Sequence, residues 1–173
     1  MDTGKDFLKS QVHNAVTLHA AFVKALKDHE SQAEDPRYRD LCSRYLGAMR
    51  EHQRMLEDYQ NELGEADAGM LKRALGATMG AARDLADSVR ESDFLRLVGD
   101  IVMSRQAEDT FKTFREAGRT LGLTRLAEIG AAGESGHDAY NKDANRLVQE
   151  LFVEQARRGE EGIAATSAAE MSR

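Results

Sequence analysis

Apolar residues recur at alternating steps of four and three along most of this chain, the period of a helix face packed against neighbours. From Asp6 to Glu30 the stripe is Leu8, Val12, Ala15, His19, Phe22 and Leu26, widened by Val16 and Val23. Residues 31–36 interrupt it. Asp35 is placed to cap a second helix and Pro36 to open it, since proline lacks the N–H that a first turn leaves unpaired. That helix has the most regular register in the chain: Tyr38, Cys42, Tyr45, Met49, His52, Leu56, Tyr59 and Leu63, with Gly64 as its stop. A short link between two helices of similar length predicts an antiparallel hairpin.

Between Asp67 and Val89 a weaker stripe (Leu71, Ala74, Leu75, Thr78, Ala82, Leu85, Val89) is broken by Gly76 and Gly80. Each glycine costs roughly 1 kcal/mol relative to alanine in a helix. A helix of that kind suits a short crossover between two main posts. Ser92 or Asp93 then caps a helix reaching Leu121, with Phe94, Leu97, Val98, Ile101, Ala107, Phe111, Phe114 and Leu121 toward the core. In the last region, capped by Thr124, the seam is Leu126, Ile129, Gly133, His137, Tyr140, Ala144, Leu147 and Leu151. Gly130, Gly133 and Gly136 fall inside it. Either one helix runs through them, leaving room for another backbone or a second copy to come close, or the helix breaks there. The surviving register favours one long helix. Strand-like alternation is absent, so the fold class is all-α: one helical-bundle domain over residues 1–158 and a disordered tail over 159–173, which has little to bury.

Charge narrows the partners. Thirty acidic against 24 basic residues give a net charge of -6, which disfavours counterion-release binding to nucleic acid. No apolar run approaches the roughly 20 residues that span a bilayer. A single cysteine gives no intramolecular disulfide, and the first ten residues carry Asp2 and Asp6 without an apolar run, so neither secretion nor a signal peptide is expected. The expectation is a cytoplasmic protein whose partner is a second copy or another protein. Cys42 lies on an apolar stripe and reads as a small hydrophobe, the methionines as core filling. No nucleophile elbow or phosphate loop is present, so no catalytic residue is assigned.

Several stretches resemble one known family. The end of the first helix (Ala-Leu-Lys-Asp-His-Glu, 25–30), the turn Glu-Asp-Pro-Arg-Tyr-Arg (34–39), the run from His52 to Gly64 and the segment Gln-Ala-Glu-Asp-Thr-Phe (106–111) are similar to the small bacterial, stress-associated branch of the ferritin-like superfamily. The resemblance implies an antiparallel four-helix bundle with one long connection between the second and third main helices, and a stress-related role. It also implies a dinuclear metal site, with a glutamate from each of two helices and Glu-x-x-His from each of the others.

This chain departs from that pattern. His19 stands where the family places a glutamate, and Met49 replaces the glutamate paired with His52. Glu108 lies beside the seam, and Glu134-Ser-Gly-His137 alone matches Glu-x-x-His. With two carboxylates, a buried pair of divalent ions would keep about two uncompensated charges, at several kcal/mol each. No intact di-iron site and no cofactor are therefore expected. The resulting expectation is a non-catalytic bundle acting through protein association. The alternative is an iron or zinc site built from His19, His52 and His137 with Glu108 or Glu134, since imidazole is a frequent metal ligand near neutral pH. Against it stands a plainer reading, in which each imidazole is hydrogen-bonded at the core edge to Tyr45, Tyr140 or a carbonyl. His13 and His29 are expected to face solvent.

Overall fold

Asp35 caps the second helix as the pattern predicts: its carboxylate accepts the Arg37 N–H at 2.8 Å, with Pro36 in the first turn. At the next helix start Ser92 is the cap, accepting the Leu95 N–H at 3.3 Å. Asp93 has a different task. Its carboxylate accepts the N–H groups of Glu34 and Asp35 at 2.8 and 2.7 Å, clamping the first turn to a helix that begins about 60 residues later. Gly64 and Gly122 close their helices at φ 77 and φ 69, the left-handed region that costs glycine little.

The structure, a computed structural model, describes the backbone of residues 3–64 and 92–171 and the side chains of residues 4–64 and 92–159. Within them lie four helices and no strand: α1 (Thr3–Gln32), α2 (Pro36–Leu63), α3 (Asp93–Leu121) and α4 (Thr124–Met171). α1 packs on α2 and α3, and α4 on α3 and α2, giving a square of four posts. The Asp93 clamp and the Arg37–Glu154 ion pair at 2.8 Å place the starts of α2 and α3 beside the end of α1 and the stretch of α4 around Glu154. At the opposite end Gly64 lies near Lys9, and Leu8, Tyr59, Leu121 and Leu126 line one cavity. Every neighbouring pair is therefore antiparallel. The chain leaves the bundle at one end, at Gly64, and re-enters at the other, at Ser92. The weak helix read over Asp67–Val89, and its role as a crossover, lie outside the described residues. No described helix is long and apolar enough to cross a membrane.

α4 is continuous through Gly130, Gly133 and Gly136, and helical backbone extends past Arg158 to Met171. Neighbouring helices use the space the glycines leave. A Cβ on Gly130 would strike the backbone of Phe111 and Arg115, one on Gly133 the Phe111 ring, and one on Gly136 the His52 ring. Gly118 is pressed against the Ala127 backbone in the same way. The core divides in two. Phe22, Leu26, Tyr38, Met49, Leu97 and Tyr140 fill one half, and Val12, Leu56, Tyr59, Phe111, Leu126 and Ile129 the other.

Two expected positions move. Leu121, assigned to the core, is 67% exposed as the last residue of α3, at the rim of the cavity it shares with Leu8 and Leu126. His29, expected in solvent, is buried. It continues the α1 seam one step beyond Leu26, and Asp100 meets it there.

Candidate metal centre

At mid-height each helix turns a polar residue inward: His19 from α1, His52 from α2, Ser104 from α3 and His137 from α4. The three imidazoles are 2%, 8% and 0% exposed. One nitrogen from each lies within 4.8 Å of the others. They form a polar layer between the two apolar halves. Phe22 packs edge-on to His19 and tilted on His137, with centroids 6.3 and 5.3 Å away. On the other side Phe111 lies 5.5 to 5.9 Å from all three rings.

Hydrogen bonds fix the protons. The Gln53 amide donates to the Glu57 carboxylate at 2.7 Å and to the Val16 carbonyl at 3.3 Å, so its Oε1 is free only to accept. His19 Nδ1 therefore donates to Gln53 Oε1 at 2.9 Å. Burial, with His52 close by and only Gln53 opposing, lowers the His19 pKa to about 4, which leaves its Nε2 as a lone pair at neutral pH. That lone pair faces His137 Nε2 at 3.1 Å, so His137 must donate through Nε2 and accept the Ser104 hydroxyl at Nδ1, 2.8 Å away. Burial, reinforced by the two neighbouring imidazoles, lowers the His137 pKa to about 2. His52 is also held below its ordinary value by burial, and its Nδ1 has no hydrogen-bond partner among the described residues. A directed chain thus runs Ser104, His137, His19, Gln53, Glu57 and draws on all four helices.

The same layer suits a metal ion. Two imidazole nitrogens on one ion at 2.0–2.1 Å stand about 3.3 Å apart at a tetrahedral angle and about 3.5 Å apart at a trigonal one, so His19 and His137, at 3.1 Å, reach either by parting a few tenths of an ångström. Gln53 and Ser104 hold the outer nitrogens, as second partners of ligating histidines do. Ser104 serves either tautomer, because a hydroxyl donates or accepts. His137 can turn its Nε2 lone pair inward by moving its proton to Nδ1.

The two carboxylates from the sequence pattern are engaged elsewhere. Glu108 accepts from the Asn141 amide at 2.6 Å, one turn from His137, with Arg105 at 3.4 Å. Glu134 pairs with Arg115, brought within reach because Gly130 lets α3 press against α4. Among the described residues no carboxylate belongs to the donor group of the three imidazoles. The layer does not fit a dinuclear iron site, which needs bridging carboxylates. The hydrogen-bond partners expected for the imidazoles, Tyr45 and Tyr140, are also replaced. Tyr45 donates to Asp143 at 2.8 Å, while Gln53 and Ser104 hold the rings.

One turn along α3 from Ser104 is a second buried cluster. Asp100 Oδ2 accepts the Tyr38 hydroxyl at 2.6 Å and the His29 Nδ1 proton at 2.9 Å. Burial drives the Asp100 carboxyl above the usual range against those bonds. Cys42, buried nearby, has its thiol pushed up by burial and then by Asp100, the opposite of nucleophile activation.

Asp100, Ser104, Gln53 and buried His29 are polar and stand outside the apolar pattern. Their register still marks most of them: Leu97, Asp100, Ser104, Ala107, Phe111, Phe114 and Gly118 keep the four-and-three spacing of one seam. His29 continues Leu26 in the same sense. Gln53 sits beside the α2 seam and has no such signal. No family model, curated protein or solved structure matches this chain.

Proposed function

We propose that this chain is a non-catalytic, ferritin-like bundle that binds one transition-metal ion through His19, His52 and His137. The carrying observation is the convergence of three imidazoles from three helices within 4.8 Å, two with their outer nitrogens held by Gln53 and Ser104. Antiparallel neighbours, with departure at Gly64 and return at the far end, support the ferritin-like reading of the fold. The layer replaces a carboxylate-rich dinuclear site with a neutral, mononuclear one. Phe22 and Phe111 pack against the layer and all three imidazoles are buried, which supports a reading of binding rather than turnover.

A second reading has its own observation. The chain from Ser104 to Glu57 satisfies His19 and His137 without any ion, and a closed polar network of that kind specifies helix register. Metal analysis of protein purified without chelator, followed by titration, separates the two. One ion per chain, lost in His52→Ala and in His137→Ala while helical circular dichroism is kept, supports the metal centre. Absence of binding at micromolar metal leaves the register network.

A further inference from the structure

We infer that this centre selects a singly charged, soft d10 ion, cuprous copper, over divalent zinc or iron. The inference rests on the metal-centre reading above and concerns which ion that centre takes.

Charge is the first argument. All three donors are imidazoles, and a ligating imidazole is neutral. The nearby carboxylates are engaged away from the three donors: Glu134 with Arg115, Glu108 with Asn141 and Arg105, Glu51, beside His52, with Arg54, Asp100 through Oδ2 with Tyr38 and His29, and Glu57 with the Gln53 amide. An ion here keeps its whole charge in a nearly dry layer. The cost of burying a charge grows as its square, so a divalent ion suffers about four times the penalty of a monovalent one.

Coordination number is the second argument. Zinc takes four ligands, and a three-histidine zinc site keeps a position for water. Here the Phe111 ring covers all three imidazoles, and Phe22 packs against His19 and His137 from the other side. Three donors and two apolar walls describe a trigonal site. Cuprous copper, with a filled d shell, is content with three ligands. Imidazole suits copper, zinc, iron and nickel alike, so charge and coordination number decide among them, and the walls that exclude water also disfavour the higher charge and coordination of the cupric state.

Ser104 completes the argument without adding charge. On metal binding the Nε2 proton of His137 leaves, and the ring is held by donating Nδ1–H to the Ser104 oxygen. One proton departs to solvent from Nε2 and one is taken up from solvent at Nδ1. The ring stays neutral, and the layer gains the charge of the ion alone.

The test is an anaerobic competition titration of the full chain with cuprous copper buffered by a chromogenic chelator. Silver(I) serves as a redox-inert probe, and zinc(II) and cobalt(II) as the divalent arms. The expected result is one cuprous or silver ion per chain, retained against about a hundredfold excess of zinc, kept in Cys42→Ser and lost in His52→Ala. A double exchange, Gln53→Glu with Glu57→Gln, moves one negative charge beside His19 at constant composition. It should raise the zinc-to-copper affinity ratio about tenfold or more, the usual reach of a change in the partners behind the ligands. Should His52→Ala unfold by circular dichroism, His52→Gln takes its place. Zinc or cobalt binding as tightly as copper through the same histidines overturns the ion class and leaves the metal centre standing. Copper lost in Cys42→Ser, or kept in the histidine variants, overturns the site assignment. No ion of either charge bound overturns both.

Discussion

At the scale of single residues, proton positions carry the account. The Gln53 amide is oriented by Glu57, so in the metal-free protein His19 carries its proton on Nδ1 and His137 on Nε2. Long-range 1H–15N spectra of the imidazoles report each tautomer, and a His137 proton on Nδ1 would contradict the chain. Asp100 poses a separate question. In Asp100→Ala the Tyr38 hydroxyl loses its acceptor inside the core and the His29 N–H keeps only the Tyr38 oxygen, 2.9 Å away, at a cost of about 2–3 kcal/mol. Asp100→Asn keeps an acceptor oxygen for both and should cost about 1 kcal/mol. Urea unfolding of the two variants measures the difference, and equal losses would mean that the acceptor is unimportant.

At the scale of the helices, the α4 glycines are contact positions. Gly136→Ala should destabilise the protein by about 1–3 kcal/mol although alanine is the better helix former, because its Cβ would overlap the His52 ring. At Gly47 in α2 an added Cβ would meet no described atom within 4 Å, so Gly47→Ala should stabilise by about 0.5–1 kcal/mol. Thermal melts of both test the contrast, and a stabilised Gly136→Ala would refute the close approach. The helices themselves were legible in the sequence, as were their ends at Asp35, Ser92 and Gly64, since these are local events of periodicity and capping. So were the three inner histidines, which sit on seam positions. Asp100 and Ser104 also sit on a seam, but apolar Val98 and Ile101 beside them draw the register away. The direction of Glu134 escapes such a reading because only tertiary packing brings Arg115 to it.

At the scale of the whole molecule, three imidazoles in one buried layer make the metal-free fold sensitive to acid. Unfolded histidines take up protons below about 6.5, whereas folded His19 and His137 resist until about 4 and about 2. The unfolded state therefore binds more protons across that window. Stability is fully present above about pH 7 and falls as pH drops below about 6.5, by about 1.4 kcal/mol per unit for each ring. Denaturation midpoints at about pH 7.5, 6 and 5 should decline in that order, and a flat profile would contradict the burial. The most direct test of the centre follows the imidazole nitrogens by NMR as one equivalent of silver(I) is added. The account predicts that the signals of His19, His52 and His137 shift together and saturate at one ion per chain, while those of His13 and His29 stay in place. Signals of the three layer histidines unmoved by excess ion, with changes confined to His13 and His29, would contradict it.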